Sequence, residues 1–380
     1  MSMLKTKVLR SIGEVTALEW NTLNHQDKPF LRHEFLSALE KTHCVGADTG
    51  WTPQHITVWD QDVLVGAAPA YLKDHSFGEF VFDWAWAEAY RRHGLPYYPK
   101  LVCCVPFTPV TGPRLLLRPG TVATVATHVI RAVAKLTEQH NASSAHWLFT
   151  NENDSAILAQ QGLALRKGFQ FHWQNPGYAS FDDYLGALTS KRRKNVKRER
   201  RLVAEAGITV RMHSGAEITP IMWQRFYDLY AATTERKGGT PYLTRSFFAT
   251  LAAMLPAQVL LATAYRDGQV IAAALCLRNE TTLFGRNWGC DTHYDGLHFE
   301  TCYYAPIEYC IRSSLRYFDA GAQGEHKLAR GFLPQPTYSA HWIRNDTFRN
   351  AIERFVGEEA EHVELHMDEL SEHSPFRVNN

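Results

Sequence analysis

The sequence predicts an α/β protein with mixed sheets, divided into two domains of similar architecture at residues 1–177 and 178–380. A chain of 380 residues with 45% hydrophobic residues is long enough to form two hydrophobic cores. Two strand–turn–strand patterns, at 54–72 and 259–277, predict one antiparallel hairpin in each half. Helical and strand periodicities alternate around both hairpins, which is typical of mixed sheets with antiparallel central strands.

In the first half, the spacing of apolar residues defines the elements in order. Strands are predicted at 8–12, 54–59, 63–72, 145–150 and 165–173, and helices at 14–23, 33–41, 122–140 and 153–161. Residues 77–92 are dense in aromatic side chains. Within them, Trp84 and Trp86 are candidates to line a pocket for an acyl or ring-bearing substrate, and a packed core is the alternative interpretation.

The second half follows a similar order without repeating the sequence. Its predicted helices are 181–201, 218–236, 247–255 and 299–315, and its predicted strands are 208–212, 259–265, 270–277, 281–288 and 316–320.

The predicted helix 181–201 carries a dense positive charge. Residues 190–201 read SKRRKNVKRERR, with eight basic residues and one acid, Glu199. Because the net charge of the chain is only +1, a local patch of this kind is the route by which phosphates or a tRNA backbone would bind. A solvated basic helix is the alternative. The candidate binding residues are Lys191, Arg192, Lys194, Asn195 and Arg198.

A polar cluster follows the strand 316–320, where α/β enzymes present their chemistry. Acyl transfer to an amine needs a proton acceptor and groups that stabilise a tetrahedral oxyanion. We expect Glu325 and His326 to act as bases, so that Glu325→Gln lowers turnover far more than stability. The remaining candidates are Lys327 and Arg330 for negative charge, Gln323 and His341 for substrate, and Tyr303 and Tyr304, from the preceding helix, as acids toward the leaving group. The alternatives are a solvated surface loop for the polar cluster and core packing for the two tyrosines.

Composition argues against several other classes of protein. No apolar run is long enough to cross a bilayer, and no signal peptide is recognisable, which predicts a cytoplasmic protein. Seven cysteines without a CxxC pair indicate reduced thiols. Metal ligation by His298, Glu300, Glu325, His326 or His341 is not expected, because no pair has metal-ligand spacing. Cys302 and Cys310 fall in an apolar helix pattern, where cysteine is usually inert.

The segments AYRDGQVIAAALCLRNETTLFGRNWGCD and FDAGAQGEHK resemble the acyltransferase half of the GNAT superfamily in its FemAB-like branch. Further motifs across about residues 7–360 resemble the bacterial FemAB-like "peptidoglycan biosynthesis/recognition" group, among them PFTPVTGPRLL, SKRRKNVKRERR and GAQGEHKLARGFLP. The resemblance implies two tandem GNAT-like domains that transfer an acyl or aminoacyl group to the amine of a peptide, an amino acid or a cell-wall precursor.

The resemblance also implies a co-substrate, either aminoacyl-tRNA or acyl-CoA, and no tightly bound cofactor. Acetyl-CoA enzymes carry a Q/R-x-x-G-x-G/A loop that offers backbone N–H groups to the pyrophosphate. Between residues 289 and 301 this chain has only Gly296 of that pattern after the strand, which shifts the expectation away from acetyl-CoA. A protein that recognises a ligand in a degenerate GNAT cleft, without catalysis, is the alternative function.

Overall fold

The computed structural model describes residues 4–23, 26–121, 123–322 and 324–377. Its strands are β1 (Lys5–Leu9), β2 (Trp51–Pro53), β3 (His55–Asp60), β4 (Val63–Ala68), β5 (Ala70–Lys73), β6 (Lys100–Cys103), β7 (Leu116–Leu117), β8 (Ser144–Thr150), β9 (Ala164–Gln174), β10 (Thr209–Ser214), β11 (Val259–Arg266), β12 (Gln269–Arg278), β13 (Thr282–Cys290), β14 (Tyr317–Asp319) and β15 (Phe332–Ile343).

Its helices are α1 (Ala17–Asn21), α2 (His33–Lys41), α3 (Trp84–Arg92), α4 (Ala123–Gln139), α5 (Glu152–Gln160), α6 (Phe181–Ala187), α7 (Ser190–Glu205), α8 (Pro220–Arg236), α9 (Arg245–Met254), α10 (Leu297–Phe299), α11 (Ala305–Arg312) and α12 (Asp346–Glu372).

The chain forms two compact units. The first contains residues 1–169 and 336–365, and the second contains residues 170–335 and 366–380. The segment 336–365 is thus a part of the first unit that a single boundary between residues 177 and 178 does not include. Mixed sheets of α/β type occur in both units, as the sequence predicts.

The first unit contains a four-stranded sheet in the order β1-β3-β4-β7 and a second run of strands in the order β15-β8-β6-β5-β2. The predicted hairpin is confirmed, since β3 and β4 pair antiparallel. Its second strand is shorter than predicted: β4 ends at Ala68, and after Pro69 the chain continues as β5, which pairs with β6 and β2 instead. Proline has no N–H to donate, which makes it a natural place for a strand to change partners.

The second unit has the strand order β10-β11-β12-β13-β14-β9. Neighbours from β10 to β13 are antiparallel, which confirms the second hairpin, and β14 is parallel to β13. The register of β12 against β13 shifts between Ala274 and Cys276. Such a bulge bends a strand and often lies next to an active site.

The basic helix differs from its prediction, because residues 181–201 do not form one helix. Helix α6 ends at Ala187, and α7 begins at Ser190. Between them, Leu188 forms a β-bridge with Phe376, and the N–H of Thr189 donates 2.9 Å to the carbonyl of Pro375. These bonds to the C-terminal segment hold the backbone extended and interrupt the helical hydrogen bonds.

The predicted helix 299–315 contains an irregular turn. Between α10 and α11, residues Glu300–Tyr304 form a π-helical turn. Turns of this type are rare and occur often at functional sites, because one extra residue per turn rotates the side chains away from their regular positions. Tyr303 and Tyr304 both lie on this turn.

Candidate active site

The strands β13 and β14 separate at their carboxyl ends. They pair in parallel only from Thr282–Tyr317 to Phe284–Asp319. Strand β14 ends there, whereas β13 continues to Cys290 and, within the described residues, pairs with β12 alone. Open α/β sheets bind ligands beyond the carboxyl ends of parallel strands. The loop after β14 therefore occupies the expected place for a site.

Lys327 brings a buried amine to this end of the sheet. The residue is 1% exposed, and its Nζ donates a hydrogen bond of 2.5 Å to the carbonyl of Gly321. The N–H of Gly321 donates 2.9 Å to the carboxylate of Asp319, whose other oxygen lies 3.8 Å from Nε2 of His172. Burial lowers the pKa of Lys327 to about 8, opposed by the charge of Asp319 and assisted by that of Arg286. The amine therefore titrates close to physiological pH.

A tyrosine–histidine pair lies on the neighbouring elements. The hydroxyl of Tyr303 is 2.9 Å from Nε2 of His326, and the two rings contact each other. Burial lowers the pKa of His326, and the charges of Arg330 and Lys327 lower it further, so the imidazole is neutral at pH 7. Burial raises the pKa of Tyr303 far above its usual value, so the phenol keeps its proton.

A second histidine contacts the same rings. His298 packs against Trp288, Tyr303 and His326 with ring centroids 5.1, 5.3 and 5.9 Å away. Burial, followed by the charges of His326 and nearby cations, lowers the pKa of His298 to about 4. This imidazole is therefore neutral and forms an apolar and aromatic wall of the site.

Glu199 holds the other tyrosine of the π-helical turn. Its carboxylate accepts a hydrogen bond from the Tyr304 hydroxyl and one of 2.7 Å from Nη2 of Arg330. Arg330 also donates 2.7 Å through Nη1 to the carbonyl of His326, and its guanidinium lies 3.3 Å from the ring centroid of Phe299. Burial raises the pKa of Tyr304 far above its usual value. Tyr304 and Arg330 are therefore fixed by the protein itself.

The predicted anion-binding residues lie on different sides of α7. Lys191, Lys194 and Arg198 are exposed, whereas Arg192 and Asn195 are half-buried. Their spacing of three and four residues places the three exposed cations on one helical face. In the part of the chain that the structure describes, these three form no ion pair. We call Lys191, Lys194 and Arg198 the basic stripe.

Unlike the residues of the basic stripe, Arg200 is paired with carboxylates of the fold. Its guanidinium donates to Glu300 over distances of 2.9–3.2 Å and to Glu308 at 2.9 Å, and it lies over the ring of Phe181 at 4.5 Å. A cavity of about 580 Å³ lies beside this cluster, also lined by Lys197 and by apolar residues of α6, α7 and β10. The charge of Arg200 is thus largely neutralised within the fold.

One candidate from the polar loop, Glu325, is not brought into this cluster. The carboxylate of Glu325 is 72% exposed, and one of its oxygens lies 3.9 Å from Nε2 of His366. Gln323 lies outside the described residues. By contrast, His326 contacts Tyr303, Arg330 shares Glu199 with Tyr304, and Lys327 lies in the same turn as His326 and Arg330. Their role in the site stays a prediction.

Three further candidates have their contacts within the first unit. Nδ1 of the buried His341 is 2.7 Å from Nδ1 of His146, and Nε2 is 2.8 Å from the hydroxyl of Ser339. Trp86 is buried against His341, with ring centroids 4.9 Å apart. Trp84 is 43% exposed. The contacts of His341 and Trp86 are those of a packed polar core, and a substrate role for all three residues stays a prediction.

Several residues of the site were not among the catalytic or binding candidates predicted from the sequence. They are His172, Asp319, Arg286, His298, Phe299 and Glu199. Two of them carry a signal in the sequence: Glu199 is the single acid in a run of eight basic residues, and Asp319 ends a short strand before a glycine. His172 has no such signal, because β9 reaches Asp319 only through sheet pairing.

Other chemistries find little support among the described residues. They contain no group of three or more His, Cys, Asp or Glu side chains that could hold a metal ion. Burial raises the pKa of the Cys302 and Cys310 thiols well above the usual value, which keeps both protonated and unreactive. A search of the described helices finds none that is both long and apolar enough to cross a membrane.

The comparisons with known proteins agree with this fold. The chain belongs to the FemAB-like family of peptidoglycan biosynthesis/recognition, whose model matches residues 11–378. No curated protein matches the sequence. The match to the family model confirms the resemblance predicted from the motifs.

Among solved structures, FemX is similar with a TM-score of 0.56 and 12% identity, covering 89% of this chain and 98% of FemX. L-PGS from Bacillus licheniformis has a TM-score of 0.50 and 10% identity, covering 84% of this chain and 95% of that one. A tandem GNAT protein from the clavulanic acid biosynthesis pathway has a TM-score of 0.47 and 12% identity, and the match covers 90% of this chain and 99% of that one. The predicted α/β fold class is confirmed by the mixed sheets and by the similarity to the fold of FemX.

Proposed function

We propose that the second unit transfers an aminoacyl group from an aminoacyl-tRNA to an amine on a peptide, an amino acid or a cell-wall precursor. The observation that carries the proposal is the cluster of Lys327, His326 and Tyr303 at the carboxyl end of the parallel pair β13–β14. Together these groups supply a cation, a neutral imidazole and a protonated phenol. Aminolysis of an ester needs these three functions and no covalent enzyme intermediate.

His326 is the proposed base. In the tautomer with the proton on Nε2, its N–H donates to the hydroxyl oxygen of Tyr303, and Nδ1 is left to accept the proton of the attacking amine. Tyr303 passes its own proton to the leaving ribose hydroxyl and receives one from Nε2. The amine loses one proton, the leaving oxygen gains one, and the histidine ends in its other neutral tautomer.

Lys327 is the proposed oxyanion stabiliser. Below its pKa of about 8 it is an ammonium group, and it makes its hydrogen bond to a backbone carbonyl, not to a carboxylate. Within the described residues, its remaining N–H groups are therefore not committed to an ion pair at bonding distance. A cation held in a dry site stabilises developing negative charge far better than one in water.

The basic stripe supports a nucleic-acid donor. Lys191, Lys194 and Arg198 extend over about 10 Å along α7 at 1.5 Å per residue. Lines of unpaired Lys and Arg side chains bind nucleic-acid backbones by displacing counterions from the phosphates. The stripe lies on the same helix as Glu199, which reaches the tyrosine and arginine of the site.

The start of the helix after β13 argues against acyl-CoA. Gly296 precedes this helix with φ +82, and a Cβ added there would lie 2.8 Å from the carbonyl oxygen of Glu199. The backbone of α7 therefore lies close to the residue that precedes this helix, the side from which a pyrophosphate would approach the helix N-terminus. This close packing agrees with the missing glycine-rich loop in the sequence.

The test is a product analysis with purified protein. The protein is incubated with candidate amine acceptors and either a mixture of charged tRNAs or acyl-CoA. The molecular masses of the acceptors are then measured by mass spectrometry. We expect an aminoacyl mass increment with charged tRNA and none with acyl-CoA. An increment with acyl-CoA alone would overturn the proposed donor. Absence of transfer from both, together with measurable acceptor binding, would favour the non-catalytic recognition protein.

A further inference from the structure

Glu199 is an acidic residue on a helix that is otherwise strongly basic. It is the single acid among the eight basic residues of 190–201, and it is 15% exposed where the basic stripe is open to solvent. Both carboxylate oxygens are used, one by Tyr304 and the other by Arg330. The residue therefore joins three segments: α7, the π-helical turn and the turn Glu325–Arg330.

Arg330 makes the contact energetically important. Its side chain is 7% exposed and lies against the ring of Phe299, so its charge is removed from water. Glu199 is its ion-pair partner in the described chain. A buried charge that loses its partner is strongly unfavourable. Without the Glu199 carboxylate, we expect the guanidinium to leave its place.

Arg330 in turn holds the reacting groups. Its Nη1 donates 2.7 Å to the carbonyl of His326, the residue that contacts Tyr303. Lys327 follows His326 directly in the same 3-10 turn. A displacement of Arg330 would therefore move the backbone that carries both His326 and Lys327.

We propose that Glu199 is a positioning residue for the transfer reaction. It fixes Tyr304 directly and, through Arg330, the turn that carries His326 and Lys327. Because it belongs to the same helix as the basic stripe, it also connects the donor-binding surface to the reacting groups. This inference rests on the proposed function.

The test compares Glu199→Gln with Glu205→Gln. Glutamine keeps an oxygen that can accept from Tyr304 and removes the charge that balances Arg330. Glu205 lies on the same helix, is 62% exposed and pairs with Arg201 at 3.5 Å, away from the site. We expect Glu199→Gln to lower kcat about 10- to 100-fold, the range for partners that orient reacting groups, with little change in KM for the donor. Glu205→Gln should match wild type.

Two further readouts separate positioning from folding. The double variant Glu199→Gln/Arg330→Gln removes both charges, so it should be more stable than Glu199→Gln yet equally slow. Its midpoint of urea unfolding and its kcat are measured together. If Glu199→Gln keeps wild-type kcat, or if the double variant regains kcat along with stability, the positioning role is wrong. If the wild-type protein transfers nothing, the proposed function fails before this comparison is reached.

Discussion

The hydroxyl of Tyr303 lies 2.9 Å from Nε2 of His326, although 23 positions separate the two residues. The contact joins a π-helical turn to a 3-10 turn, two irregular elements on either side of the short strand β14. Both side chains thus lie on irregular turns, and π-helical turns in particular are common at functional sites.

His326 is predicted to be essential for turnover. Replacing it by glutamine removes the proton acceptor and keeps a polar side chain, so kcat should fall about 100-fold or more. Glu325→Gln is the matched comparison on the adjacent residue. The sequence predicted a large loss for that variant too, but its exposed carboxylate near His366 now predicts the smaller loss. A larger loss for Glu325→Gln than for His326→Gln would contradict the assignment of the base.

The lowered pKa of Lys327 predicts how kcat falls on the alkaline side of the pH profile. Its active form is the ammonium group, and burial lowers its pKa to about 8, so kcat should be lost as the pH rises through about 8. A lysine in water would keep its charge to about pH 10. The measurement is kcat from pH 6 to 10 with the acceptor at saturation. A plateau extending to pH 10, or full activity of Lys327→Met, would show that the ammonium group is not needed.

The sequence singled out the polar loop of the candidate site but not the residues that the fold places beside it. His326, Lys327 and Arg330 belong to a polar loop with glycines that directly follows a hydrophobic strand. This pattern is visible in the local sequence. Asp319 and His172 meet only through pairing of β14 with β9, a contact between segments distant in sequence. Local periodicity carries no information on such pairs.

Two errors of the sequence interpretation have the same physical origin. Residues 181–201 keep a helical stripe of apolar residues, yet the helix breaks where Leu188 and Thr189 bond to the C-terminal segment. The long strand 63–72 keeps its apolar pattern, yet the chain changes sheets after Pro69. In both places long-range hydrogen bonds outweigh local propensity.

The basic stripe predicts salt-dependent binding of tRNA. Reversing Lys191, Lys194 and Arg198 to glutamate should weaken binding, and the slope of log K against log salt should become less steep by about 0.7 to 0.9 for each phosphate that the protein no longer neutralises. The control reverses Arg131 and Lys135, exposed residues on α4. Filter binding from 50 to 300 mM salt provides the slopes. Identical slopes for all three proteins would make the stripe a solvated face.

The first unit contains a buried lysine whose removal should be costly. Lys100 is fully buried and donates 2.8 Å each to Ser76 and Glu79, and it also contacts Asp83. Lys100→Met leaves two buried carboxylates without their cation, so the free energy of unfolding should fall by about 3–5 kcal/mol. Lys135→Met, at an exposed site, should change it by less than about 0.5 kcal/mol. Urea unfolding measures both, and equal losses would contradict the role of Lys100.

The buried pair His146–His341 predicts a loss of stability in acid. Burial lowers the pKa of His146 to about 3 and that of His341 well below its usual value. The unfolded chain binds protons at about pH 6.5, so the unfolding free energy should fall as the pH drops below that value. Glu79, whose pKa burial raises to about 7, acts in the opposite direction.

The histidine contribution is isolated by comparing variants at pH 7, 6 and 5. His146→Gln/His341→Gln retains Glu79 and should show a flatter dependence of the unfolding free energy on pH than wild type. His128→Gln, at an exposed position, should follow wild type. A double variant with the wild-type slope would mean that the pKa values of the two imidazoles are the same in the folded and unfolded states.

In the proposed reaction, His326 and Lys327 of the second unit carry out aminoacyl transfer from tRNA. Its most direct test is a single-turnover assay in which excess protein is mixed with tRNA carrying a radiolabelled amino acid and an amine acceptor. We predict that the label moves to the acceptor with wild-type protein and that His326→Gln and Lys327→Met each slow this step about 100-fold while still binding the tRNA. Equal rates in the wild type and both variants, or a label that stays on the tRNA with every protein, would contradict the claim.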